Sequence, residues 1–560
     1  MPKSHFGRSY SDLPGTLSHS ARGTPTGDPH TTPTTGVANQ NATTDKPNAA
    51  TPGQPTKLAP MTTENAEDIT EQQAVRRAKR ARLLEAGAQA YPVDLRRTHT
   101  AAQVRGQWGH LQAGEETDDT VAIGGRIVFL RNTGKLCFAT LQDGFTAADN
   151  GERLQVMLSL AEIGEASLEA WKADVDLGDF IWVRGRVISS KRGELSVLAT
   201  EWRMAAKSLR PLPTLHNELS EEMRVRQRHT DLIVRAEARQ MVRDRAALTS
   251  SLRQTLAALG FLELETPVLQ LVHGGAKARP FATHLNAFDI NMSLRIALEL
   301  HLKRAMVGGA DAVYEIGRIF RNEGVDSAHS PEFTMLEAYQ SWGDQFTIAD
   351  VTKQLIMNAA DTLGRHQIPG PDGATIDLDG EWRWLAMFDG LSSALGRPVD
   401  ITTPVAELRA EGDAHGITCD TTWDAGKTAM HLFEHLVEPT LQQPTFVCDY
   451  PAIAQPLARP HRKIEGLVEA WDLMIGGVER ATGFSELIDP VIQRQVLTAQ
   501  SLAAAAGDPE AMQLDDDFLT ALEQGCPPMG GLGLGIDRVM MMFSGAGIRE
   551  TILFPLLRPL

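Results

Sequence analysis

Between residues 120 and 205 the chain runs in short alternating stretches: "VAIGGRIVFLR", "LCFATLQD", "RLQVMLSL", "DFIWVRGRVISS" and "GELSVLATEWRM". Glycines and polar turns separate them. Period-two alternation sends successive side chains to opposite faces, the signature of half-buried strands. Five such strands in under a hundred residues, with a helical insertion near 161–173, predict a small closed barrel.

A barrel of this kind presents aromatic and polar side chains to single-stranded bases, which need stacking partners and edge hydrogen bonds. Phe138, Gln155 and Glu194 suit that work, and each equally suits an ordinary strand position. The net charge of -17 does not exclude nucleic acid, since a local basic patch is enough to neutralise phosphates. "EQQAVRRAKRARLLEAGAQAYP" (71–92) is such a patch on a short helix, with Arg76, Arg77, Lys79, Arg80 and Arg82. It reads either as a solvated face or as a helix tracking phosphates.

At 560 residues the chain has room for two or three domains. Residues 1–64 are rich in Thr, Pro, Gly and Asn and cannot bury enough apolar surface to offset ordering entropy, so disorder is expected there. A basic helical segment (65–118), the barrel (119–208), a Pro-punctuated linker (209–228) and a larger domain (229–560) follow. No apolar run is long enough for a membrane span and no signal pattern opens the chain, so a cytoplasmic location without membrane is expected. Cys137, Cys419, Cys448 and Cys526 form no C-x-x-C pair, which argues for reduced thiols over a disulfide framework or zinc knuckle. H-E-x-x-H, G-x-S-x-G and Walker-type motifs are absent.

Three stretches carry the chemistry. The first is a helix with Leu248, Leu252, Leu256 and Leu259 on one face, stopping at Gly260 and followed by the strand "FLELETPVLQ", which Pro267 breaks. The second, "YEIGRIFRNEGVDSAHSPEFTMLEAY", gathers arginines, carboxylates, a His and a Phe beside an alternating run. That composition fits a surface hairpin or a loop wrapped round a nucleotide. The third, "GGLGLGIDRVMMMF" (530–543), is a glycine-rich strand turning into an apolar helix, with Arg538 at the junction.

In this order and spacing they resemble motifs 1, 2 and 3 of the class II aminoacyl-tRNA synthetases. With "LETP", "GGAKARPF", "LRIALELHLKR", "QPTFVCDYP", "GFSEL" and "ILFPLLRP", the chain from about residue 71 onward resembles the lysyl-tRNA synthetase family. The resemblance implies an α+β fold: an N-terminal OB-type β-barrel followed by the class II synthetase antiparallel sheet flanked by helices. It implies ATP-dependent activation of L-lysine and transfer to tRNA(Lys), a homodimer through motif 1, and Mg2+ as cofactor. By the same resemblance, Phe138, Gln155 and Glu194 read the anticodon. Arg321 and Arg538 are catalytic and, with Glu323, His329 and Phe333, bind ATP. Asp472 and Glu479 hold the metal. Glu299, Glu337, Tyr339, Thr482, Phe484 and Glu486 form the lysine pocket.

The charges agree with that pocket. Carboxylates gathered at a buried site are costly unless cations satisfy them, and a substrate with two ammonium groups supplies those cations. Departures from the family pattern are Ala328 for a common arginine, Leu298 for a common proline and Thr482 for a frequent asparagine. "HTDL" (229–232) also replaces a more usual "YLDL". A lysyl ligase with another acceptor and an RNA-binding pseudo-enzyme are the rival readings.

Overall fold

The computed structural model describes residues 70–145, 153–213, 219–508 and 510–559. The expected disordered extension, 1–64, lies outside them.

Five strands, β1 (Glu116–Thr133), β2 (Leu136–Gln142), β3 (Arg153–Ser159), β4 (Phe180–Ser189) and β5 (Leu195–Ala206), close a barrel in the order β1-β2-β3-β5-β4. Inward residues such as Ile127, Val156, Val183 and Val197 are fully buried, as the alternation requires. The helical insertion appears as two short helices, Leu160–Ile163 and Glu165–Asp174.

The basic helix, α1 (Glu71–Glu85), turns three of its five basic residues toward the barrel domain. Arg76 is buried and donates to the carbonyls of Ser208 (3.1 Å) and Leu177 (2.9 Å). Lys79 pairs with Asp176 at 2.6 Å and Arg82 with Asp174 at 2.8 Å. Positions three apart share one helix face, and that face is bound to the barrel. The expected linker, 209–228, falls partly outside the described residues, and Glu221–Arg226 within it is helical.

The larger sheet has eight strands. In chain order they are β6 (Leu262–Glu263), β7 (Ala312–Phe320), β8 (Glu332–Ser341), β9 (Arg383–Ala386), β10 (Thr445–Cys448), β11 (Ala470–Met474), β12 (Glu479–Ser485) and β13 (Met529–Gly535). Across the sheet they run β9-β10-β11-β12-β13-β8-β7-β6. The inner pairs are antiparallel, but both edge pairs, β6 with β7 and β9 with β10, are parallel. Pro267 cuts "FLELETPVLQ" to β6 and Leu269–Gln270, the latter joining a separate three-stranded sheet.

One face of the large sheet is closed by α2 (Ala236–Ala258), the helix Gln345–Leu363 and the helix Ile536–Ser544. Leu248, Leu252 and Leu256 of α2 are fully buried there. Leu259 lies past the helix end and is 38% exposed, contrary to the four-leucine face. Gly260, at φ +86°, makes the left-handed turn that ends the helix. The sheet's other face carries the site.

Candidate active site

Register builds the floor of the site. Asp472 on β11 pairs with Thr482 on β12, Thr482 with Gly533 on β13, and Gly533 with Glu337 on β8. A second row runs Ala470, Phe484, Gly531 and Tyr339. Directly paired residues project from the same face, so acids and aromatics flank two glycines. A Cβ on Gly531 would meet Glu486 Oε1 and come within 2.6 Å of the Tyr339 ring; one on Gly533 would lie 2.8 Å from Met335 Cε. The alternate residues Leu532 and Leu534 fill the core behind. The Gly-x-Gly repeat therefore hollows one face of a strand whose other face is packed.

Two cavities open over this floor. The first, about 290 Å³, is lined by all six residues expected for the amino acid: Glu299, Glu337, Tyr339, Thr482, Phe484 and Glu486. The second, about 400 Å³, is lined by all five expected for the nucleotide: Arg321, Glu323, His329, Phe333 and Arg538. Arg321 and Glu479 border both.

Arg321 leaves the end of β7 with its Nε donating to the Ile296 carbonyl (3.3 Å) and its guanidinium 5.3 Å from the Phe333 ring centroid. Burial lowers its pKa. The loop behind it is pinned by Asp326, whose Oδ1 accepts from the amides of Ala328 and His329 at 2.7 Å each. Those bonds and the His329 ring hold Asp326 at about 2. Arg538 pairs with Glu479 at 3.2 Å. A bulge places Glu479: Leu473 pairs with Ala481 but Met474 with Glu479, leaving Arg480 as the extra residue. Such a bulge re-aims the side chain beside it.

The first cavity is crowded with buried acids. Burial, then the charge of Glu299, pushes Glu337 up to about 7, although Glu337 accepts from the Leu298 amide (2.9 Å) and the Tyr339 hydroxyl (3.0 Å). Burial raises Glu299, and pushes Glu486 up to about 8. Asp472 stands at about 7 through burial and the charge of Glu479. Hard carboxylate oxygens that repel one another suit a divalent cation, so Asp472 and Glu479 fit magnesium.

One charge the sequence reading missed corrects its balance. Lys303 is fully buried, 2.5 Å from Glu299 Oε1 and paired also with Glu486 Oε2. The chain thus supplies one of the cations that the substrate alone was expected to bring. The Glu299–Lys303 spacing of four, one helical turn, was the available signal. Two supports were also missed. Asp537 accepts from the Thr334 amide (2.7 Å) and Arg245 (2.5 Å), tying β8 to two helices. Glu315 accepts from Thr266 Oγ1 and Arg295, both at 2.6 Å.

On the barrel, Phe138 and Gln155 are half-buried on β2 and β3, in adjoining rows. Gln155 donates to Ser196 Oγ (2.8 Å), which donates to the Glu194 carbonyl (2.8 Å). The Glu194 carboxylate lies 3.5 Å from Arg105. Elsewhere, among the described residues, His431, Glu434 and His435 form a mostly exposed cluster outside both cavities.

Residues 220–558 match the family described as tRNA synthetases class II (D, K and N), and residues 121–205 match the OB-fold nucleic acid binding domain. The chain belongs to this class II synthetase family, an α+β fold of OB barrel and helix-flanked sheet. It is 55% identical over 498 residues to a lysine–tRNA ligase of Kineococcus radiotolerans, covering 89% of this chain and 99% of that one. A lysine–tRNA ligase of Mycobacterium bovis is also 55% identical, over 503 residues, with the same shares. The lysylphosphatidylglycerol biosynthesis bifunctional protein LysX of Mycobacterium avium is 47% identical over 88% of this chain and 41% of its own length.

Proposed function

We propose that this chain is a lysine–tRNA ligase, joining L-lysine to the 3′ end of tRNA(Lys) with ATP, in the cytoplasm. The observation that carries the reading is Arg321 bordering both cavities, where an amino-acid carboxylate and an α-phosphate would meet. The relatives named for this activity, matched over nearly their whole length, support it.

In the first step a lysine carboxylate oxygen attacks the α-phosphorus in line, the bond to the pyrophosphate oxygen breaks, and lysyl-adenylate forms. Two anions must approach, so positive charge and positioning do the catalytic work without a side-chain nucleophile. Arg321 bridges carboxylate and α-phosphate, its planar guanidinium offering several donors. Arg538 holds the γ-phosphate end, Phe333 stacks on adenine, and Glu323 and His329 hold the nucleotide. Glu299 and Glu337 receive the α-ammonium, Glu486 and Tyr339 the ε-ammonium, while Phe484 and Thr482 line the stem. Asp472 and Glu479 would hold Mg2+, which when bound offsets phosphate charge. In the second step the terminal ribose hydroxyl of tRNA attacks the lysyl carbonyl and AMP leaves.

Phe138, Gln155 and Glu194 read the anticodon. A homodimer forms through the motif 1 region, where Leu262 (61% exposed) and Leu269 (46%) are apolar and uncovered in the single chain. The LysX relative names the rival acceptor, and among the described residues no helix is long and apolar enough to cross a membrane. Labelled lysine, ATP and either tRNA(Lys) transcript or phosphatidylglycerol vesicles decide between them. Label on tRNA alone is expected; label on lipid would reassign the acceptor.

A further inference from the structure

We infer that Lys303 is a positioning and specificity-determining residue of the amino-acid cavity: a built-in cation that clamps Glu299 to Glu486 and leaves the pocket two net negative charges, the complement of a dicationic amino acid. The inference rests on the lysine reading above and deepens it.

Glu299 opens the helix Glu299–Val307, and Glu486 follows β12. Lys303 Nζ bridges them, 2.5 Å from Glu299 Oε1 and in contact with Glu486 Oε2. Lys303 is 0% exposed, so neither pair is screened by water. An ion pair of this depth adds little stability over apolar packing, and here its two carboxylates, Glu299 and Glu486, line the cavity while Lys303 lies buried behind them. Its effect is on geometry and charge. Two like-charged carboxylates are held at fixed positions, one from a helix and one from the end of a strand.

The count follows from the facing groups. Glu299, Glu486 and, from β8, Glu337 carry three negative charges when ionised, and Lys303 carries one positive. Tyr339 and Cys526, whose electrostatics the clamp carboxylates also touch, are neutral, because burial raises both. The remaining charged residues of the lining, Lys277 and Arg321 against Asp472 and Glu479, sum to zero, and Arg321, whose charge also acts on Glu337, faces the substrate carboxylate. Three minus one leaves two, against the α- and ε-ammonium groups. An amino acid with a neutral side chain leaves one buried carboxylate charge uncompensated, and the pocket rejects it. Without Lys303 the acids face one another unbalanced, and a proton must take the place of the missing cation.

The test is lysine-dependent ATP–pyrophosphate exchange by the full chain from pH 6 to 9, with wild type, Lys303→Met and Lys303→Arg. Lys303→Met should raise the lysine KM about tenfold or more and leave the ATP KM within about twofold. It should also move the acidic limb of kcat/KM for lysine upward by about one pH unit. Lys303→Arg keeps the charge, so its limb should stay at the wild-type position while its wider head raises the lysine KM. An unmoved limb in Lys303→Met overturns the inference, and equal rises in both KM values would mark a structural role only. If Lys303→Met does not fold, Lys303→Arg decides: a shifted limb or a wild-type lysine KM overturns the inference. Wild type inactive with lysine at every pH overturns the lysine reading and this inference together.

Discussion

Glu337 and Glu486 are held at about 7 and about 8, well above ordinary carboxylates. A raised folded-state value means that the ligand-free protein retains protons the unfolded chain has released. The associated stability is fully present below the ordinary carboxylate pKa and is lost as pH rises through 7 to 8. Lysine brings two ammonium groups and favours the ionised acids. Its binding should therefore release protons, and the rise in Tm that it causes should be larger at pH 8.5 than at pH 6. Thermal melts with and without lysine at both values check this; a shift that shrinks with rising pH contradicts it. Leu298 adds to the same balance. Its buried amide donates to Glu337 Oε1, and the proline common at this position in the family has no N–H to give. The departure that the sequence shows thus brings Glu337 an additional hydrogen bond. Leu298→Pro should push Glu337 higher and move the acidic limb for lysine upward, a change readable in the same exchange profile.

At the scale of elements, β13 decides the shape of the site. Its outward glycines leave room for Glu486, Tyr339 and Met335, and its inward leucines anchor the strand. Gly531→Ala overpacks that floor, an effect of about 1–3 kcal/mol. If the penalty falls on the bound state, lysine affinity drops about ten- to hundredfold while α2 and the core behind it keep their fold. Calorimetric titration of lysine with unchanged circular dichroism is the expected result; wild-type affinity contradicts it. The glycine-rich strand and its turn into a helix were legible; that its glycines lie opposite acids and aromatics was not, because register is set by pairing with strands far along the chain. The bulge at Arg480 was not, since a single extra residue leaves no periodic trace. Lys303 was written in the quoted "LELHLKR" but reads as an ordinary basic position until the facing Glu486, nearly two hundred residues onward, is placed beside it. The parallel edge strands were likewise hidden, because pairing direction depends on connections and not on side-chain alternation.

Across the whole molecule, barrel and large sheet bury separate apolar cores. The barrel was legible from strand spacing alone. The docking of α1 was not, because its partners Asp174 and Asp176 lie about a hundred residues away on the barrel. Separate cores let binding and chemistry vary independently. Phe138→Ala should lower the rate of tRNA charging at limiting tRNA by about tenfold or more, given the stacking contribution of about 1–3 kcal/mol per base. Exchange without tRNA should not change. Equal losses in both assays would remove Phe138 from recognition and place it in the fold.

We propose that Arg321, bordering both cavities, joins an amino-acid carboxylate to a nucleotide α-phosphate. The decisive measurement is lysine-dependent ATP–pyrophosphate exchange, wild type against Arg321→Ala. Exchange with lysine is expected in the wild type, and a loss on the order of a thousandfold in the variant with melting temperature kept. Full exchange by Arg321→Ala, or none by the wild type, would contradict it.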